Sequence, residues 1–133
     1  MKIVGHGVDL VETARIAALL ESHGERFTER CFTPSERAYA ASAARRQSER
    51  FAARFAAKEA VLKALGTGLR SGMSWHDIEV VRDPAGRPGL RLAGRCLEVA
   101  ESLGASSWHL SLTHTSSHAM ASVIASGPAP DSA

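Results

Sequence analysis

The segment from Ser48 to Leu65 restricts the fold of this chain more than any other. It reads as one long helix stopped by Gly66, a residue suited to the left-handed turn that closes a helix. At roughly 100° per residue, Phe51, Phe55, Leu62 and Leu65 form one apolar stripe. Lys58 falls inside that stripe, Glu59 lies on its edge, and Lys63 stands one turn beyond Glu59. A surface pair at i,i+4, worth about 0.2–0.5 kcal/mol, accounts for Glu59 and Lys63. It does not account for Lys58, although a lysine stem can lie on an apolar face with its ammonium in water. From Arg45 to Lys63 the basic residues outnumber the acids, which are Glu49 and Glu59 alone. Charge by itself fits either a solvated face or a phosphorylated or acidic partner.

The elements around this helix mix strands and helices without regular alternation, which predicts an α+β fold. Lys2 to Asp9 reads as a buried strand, with Gly5 and Gly7 permitting close backbone approach. A helix from about Thr13 has Ile16, Leu19 and Leu20 on one face and ends at Gly24. Thr33-Pro34-Ser35-Glu36 carries a capping box and starts a helix that runs toward Ala44. Ile78–Arg82 and Leu90–Leu92 form a hairpin, and Gly94–Ser102 a further helix. Trp108, Leu110 and Leu112 alternate with His109 and Ser111 as in a half-buried strand, and a last strand spans His118 to Ala125. The expectation is a single compact domain over residues 1–126, a small antiparallel sheet packed with helices, followed by a flexible tail over 127–133.

Bulk properties narrow the function classes. The chain has 133 residues, which fits one domain with a modest core. A net charge of +2 is too small for a nucleic-acid-binding tail. A nucleic-acid surface on Arg45–Arg54 would need aromatic residues for base stacking, and Phe51 and Phe55 are assigned to the core. Cys31 and Cys96 lack CxxC spacing and build neither a metal cage nor a disulfide framework. No stretch has a signal-peptide core or the ~20 apolar residues of a membrane span, so the expected setting is cytoplasmic, with no membrane partner.

Three places carry candidate chemistry. Asp9, between Val8 and Leu10 at the end of an apolar strand, needs compensation, either a cation or a local backbone hydrogen bond. Lys58, Glu59 and Lys63 offer a carboxylate and two ammonium groups. Magnesium commonly takes one or two protein carboxylates with phosphate oxygens and water, and Asp9 with Glu59 suits it. In the third place, His109, Ser111 and Thr113 share one strand face, and His114 lies where the strand reaches its turn. Those groups suit phosphate binding or proton relay, or simply the wet side of a strand.

Together, GVDLVE near the N-terminus, RFAAKEAVLKALG in the middle and WHLSLTHT near the C-terminus resemble the phosphopantetheinyl transferases, over about residues 2–126. The short length points to the holo-acyl-carrier-protein synthase branch. The resemblance implies transfer of 4'-phosphopantetheine from coenzyme A to a serine of an apo acyl carrier protein. It implies Asp9 and Glu59 as magnesium ligands and Lys63 facing the coenzyme A phosphates. It implies supporting phosphate or carrier roles for Arg54 and Lys58. Ser111 and His114 would lie near the nucleotide or the reacting phosphate, and Arg15 would grip the acidic carrier protein. Glu59, directly or through a bound water, or else His114, would be the general base. The short members look like homotrimers with active sites between subunits. A non-catalytic coenzyme A-binding module is the alternative. Two features depart from the pattern: His6 sits in the first strand, and Glu21 and Glu25 dilute the positive face of the first helix.

Overall fold

In the computed structural model, residues 1–129 are described. The expected α+β class is borne out. The chain runs β1 (Lys2–Glu12), α1 (Thr13–His23), α2 (Glu25–Cys31), α3 (Pro34–Ala41), α4 (Gln47–Leu65), β2 (Ile78–Arg82), β3 (Pro88–Leu92), α5 (Gly94–Ser102), β4 (Ser107–His114) and β5 (His118–Gly127). Strands β1, β5 and β4 form an antiparallel sheet in that order, and β2 with β3 makes a separate hairpin.

Helix α4 lies across the three-stranded sheet and organises the core. The single apolar stripe expected for it is only part of its buried surface. Ala52, Ala53, Ala56, Ala57, Ala60 and Ala64 are buried as well, so nearly its whole circumference is enclosed. Alanine is the best helix former and the smallest side chain with a Cβ, so these positions give propensity and close approach together. Their small contribution to hydropathy hides the enclosure from periodicity. Gly66, at φ 76°, ends the helix in the left-handed conformation.

The approach of α4 to β1 depends on glycine. A Cβ on Gly7 would run into the carbonyl oxygen of Ala60, and one on Gly5 into that of Ala64. Gly5, Gly7, Asp9 and Val11 therefore form the helix-facing row of β1. An irregularity between Ile3 and Gly5 sets that phase. The opposite row, His6, Val8 and Leu10, faces away from α4. It continues across β5 through Ile124, Ser122 and Met120 to His109, Ser111 and Thr113 of β4. Among the described residues no element covers this outer face: Val8 is 42%, Leu10 63% and Met120 38% exposed.

The Thr33 capping box forms as expected, with Glu36 accepting from the Thr33 backbone N–H. Helix α3 stops at Ala41, short of Ala44, and a single 3-10 turn leads into α4. Helix α2 had no counterpart in the sequence reading. Only Cys31 of its residues is buried, so its apolar periodicity is faint, and Gly24 ends α1 and starts α2 with no spacer. Strand β5 reaches Gly127, which pairs with Lys2. Of the tail expected over 127–133, residues 130–133 lie outside the described residues.

Candidate active site

Two groups of polar side chains stand on different sides of α4. The first joins β1, α1 and α4. Asp9 points from β1 toward the helix, and the ammonium of Lys63 donates to its Oδ1 at 3.1 Å and to the Val8 carbonyl at 2.9 Å. Glu59, one turn before Lys63, is half-buried beside them. Burial pushes the Glu59 carboxyl up, and the nearby Asp9 pushes it further, against the downward pull of Lys63 and Arg15. Asp9, Glu59, Lys63 and Arg15 thus share one electrostatic neighbourhood, as the sequence reading required of the first three.

The donor set fits a magnesium ion. Asp9 adds to the cost of charging Glu59, and the Lys63 ammonium sits on Asp9 where a cation would be held. Among the described residues no group of three or more histidine, cysteine or carboxylate side chains could make a complete protein cage. Magnesium does not demand one, since it keeps water and phosphate oxygens in its shell.

Lys58 stands apart from this site. Its side chain is 0% exposed, and its ammonium binds Glu36 Oε1 at 2.7 Å, the Ile78 carbonyl at 2.7 Å and the Trp75 carbonyl at 3.0 Å. Glu36 also accepts from the backbone N–H groups of Thr33 and Val80, each at 2.8 Å. Burial lowers the Lys58 ammonium, and Glu36 opposes that shift. All three of its donors are engaged inside the protein, so it ties α4 to α3 and β2 and offers nothing to a phosphate.

The second group lies near the N-terminal half of α4. Five residues at roughly 100° each put Arg54 about 140° around the helix from Glu59. A pocket of about 260 Å³ is lined here by Tyr39, Arg46, Glu49, Arg50, Arg54, Arg82 and His114, among others. His114 is on the helix-facing row of β4, opposite Ala119, and reaches this pocket from the strand end. Ser111 is on the outer face and exposed, opposite Ser122, so the structure separates it from His114. Arg54 is buried, which lowers its guanidinium, with Tyr39 opposing and Arg82 and Arg50 among the further causes. Among the described residues it has no ion pair. Tyr39, Arg46, Arg50 and Arg82 were not singled out as site residues. The arginine-rich run from Arg45 was the only available signal for two of them.

Beside the first group is an apolar patch with a basic rim. The Arg15 guanidinium lies 5.9 Å from the centre of the Phe55 ring, which packs against Trp75 at 5.2 Å. Phe27 and Cys31 continue this surface, with His23, Arg26 and Arg30 around it.

The 4'-phosphopantetheinyl transferase superfamily matches residues 5–123. The chain is 52% identical over 122 residues to a holo-[acyl-carrier-protein] synthase of Koribacter versatilis, covering 92% of this chain and 97% of that one. It superposes on the crystal structure of the holo-[acyl-carrier-protein] synthase from Neisseria meningitidis with a TM-score of 0.83 at 34% identity, covering 93% and 98% of the two chains. The Bacillus anthracis synthase, solved in complex with CoA (3',5'-ADP), gives a TM-score of 0.79 at 36% identity, covering 96% and 100%. This chain belongs to the 4'-phosphopantetheinyl transferase superfamily.

Proposed function

We propose that this chain transfers 4'-phosphopantetheine from coenzyme A to a serine of an apo acyl carrier protein and releases adenosine 3',5'-bisphosphate. The observation that carries the proposal is the meeting of Asp9 and Glu59, from β1 and α4, with the Lys63 ammonium on Asp9. Asp9 and Glu59 would hold a magnesium ion, which neutralises pyrophosphate charge when bound. The serine oxygen forms a bond to the pantetheine-bearing phosphorus as the bridging P–O bond to the nucleotide breaks. Glu59 takes the serine proton, directly or through a bound water. Lys63, more than half exposed, moves its ammonium from Asp9 to the departing phosphate. His114 is not beside Glu59 within one chain, and its place in the arginine pocket favours binding over proton transfer.

The terminal phosphate and adenosine of coenzyme A fit the pocket of Arg46, Arg54 and His114. That pocket and the Asp9–Glu59 site diverge around α4, so a homotrimer that joins one chain's carboxylates to its neighbour's pocket completes the site. The uncovered face of Val8, Leu10 and Met120 supplies apolar surface for such assembly. Mixing Glu59→Ala with Arg54→Ala subunits tests the shared site: recovered activity supports it, and a mixture as inactive as its components removes it. The Phe55–Trp75 patch with Arg15, Arg26 and Arg30 suits an acidic amphipathic helix of the carrier. No helix among the described residues is long and apolar enough to cross a membrane. A reducing, cytoplasmic setting accords with two free, buried cysteines.

Mass spectrometry of an apo carrier protein incubated with the chain, coenzyme A and magnesium tests the reaction. Gain of one phosphopantetheine, lost with Glu59→Ala, is expected. A gain that survives Glu59→Ala overturns the role of Glu59. No gain with several apo carriers favours a coenzyme A-binding module without catalysis.

A further inference from the structure

Three guanidinium groups converge on one tyrosine. The guanidinium carbons of Arg50, Arg54 and Arg82 lie 4.0, 4.1 and 4.6 Å from the centre of the Tyr39 ring. Arg50 also donates to the Tyr39 carbonyl at 2.6 Å and to Ser42 Oγ at 2.9 Å, and Arg82 donates to the Tyr39 hydroxyl. Like charges gathered this closely repel, and among the described residues none of the three is in an ion pair. The ring face offsets part of that repulsion through its quadrupole. Among the described residues Glu49 is the only acid lining this pocket, against four arginines and His114, while Glu36 and Glu79 lie on the adjoining side of Arg54 and Arg82. The local excess of positive charge is what a doubly charged phosphate monoester would neutralise.

We propose that Tyr39 is a positioning residue, the post on which Arg50, Arg54 and Arg82 are stacked to receive the terminal phosphate monoester of the co-substrate. The inference rests on reading this pocket as the seat of that phosphate. It adds Arg50 and Arg82 as phosphate-directed residues and gives Tyr39 a task through them.

Titration calorimetry of the full chain with adenosine 3',5'-bisphosphate and adenosine 5'-monophosphate provides the test. Wild type prefers the bisphosphate by about tenfold or more, the yield of one or two charge-assisted hydrogen bonds. Tyr39→Leu removes the ring and abolishes the preference, whereas Tyr39→Phe keeps the ring and most of the preference. A preference that persists in Tyr39→Leu overturns the proposal. So does equal weakening of both ligands, which marks simple packing. Where Tyr39→Leu fails to fold, Arg50→Leu and Arg82→Leu decide: each is expected to cut the preference severalfold, and no change in either refutes the stack. Carrier modification is measured in parallel. Wild type that prefers the bisphosphate yet modifies no carrier removes the transferase reading and leaves Tyr39 its task. Wild type that modifies carrier but binds both nucleotides alike removes the phosphate pocket and Tyr39's task together.

Discussion

Replacing Lys58 with methionine separates a lysine that serves the fold from one that serves a phosphate. Methionine matches the lysine stem as far as Cε, with sulfur in place of the δ-methylene, and lacks the ammonium. The loss comprises the ion pair to Glu36 at 2.7 Å and the bonds to the Trp75 and Ile78 carbonyls. Glu36 would remain 1% exposed, held by two backbone N–H groups but without its counter-charge. Removing one partner of a buried pair typically costs about 3–5 kcal/mol. Domain stability is commonly about 5–15 kcal/mol, so Lys58→Met forfeits a large share of it. The melting temperature should fall by on the order of 10 °C or more. Circular dichroism during thermal and urea unfolding, at fixed protein concentration, measures this. Lys58→Met combined with Glu36→Gln should be more stable than Lys58→Met alone, because it neutralises the stranded carboxylate. A Lys58→Met protein as stable as wild type but weakened in coenzyme A binding would refute the argument and return Lys58 to the phosphates.

Gly7→Ala drives a methyl group into the Ala60 carbonyl, beside Glu59. It should lower stability by about 1–3 kcal/mol, read by urea unfolding, and reduce transfer beyond what the lost folded fraction explains. Arg15→Ala should raise the KM for apo carrier protein and flatten its salt dependence, with little change in the KM for coenzyme A, all read from steady-state kinetics. Iodoacetamide at pH 8 should label neither cysteine in the folded protein and both in urea, since burial pushes the Cys31 thiol up and drives Cys96 to about 12. The raised Cys96 thiol stays protonated in the folded state while its unfolded counterpart ionises. Its contribution to stability is therefore complete below pH 9.0 and declines as pH climbs toward 12.

Local signals made much of the fold legible. The Thr33 capping box, the Gly66 stop and the alternation of Trp108, Leu110 and Leu112 each state their element within a few residues. Helix α2 was not legible, because a short helix with one buried residue leaves no apolar period to read. For the site, the carboxylate pair and Lys63 came from motif order along the chain, and the structure brings Asp9 of β1 into contact with Lys63 of α4. Lys58 shows where spacing fails. An ammonium inside an apolar stripe looks the same in sequence whether it reaches outward to a ligand or inward to Glu36, because its partner is fixed only by tertiary packing. Tyr39 was invisible for the same reason: its three arginines come from α4 and β2 and meet only in space.

Helix α4 carries Arg54, Glu59 and Lys63 on one rigid rod, so their separations are set by peptide geometry. A single inserted residue between Arg54 and Glu59 would turn one end of the rod by about 100° against the other. A loop outside a continuous helix does not restore a phase lost within it. In the proposed trimer the helix therefore fixes the angle between two neighbouring sites, one using its Glu59 and the other its Arg54. Under the proposed function, variation in substrate choice would come from the surfaces around the rod, such as the β2–β3 hairpin and α1, while the rod itself resists change in length.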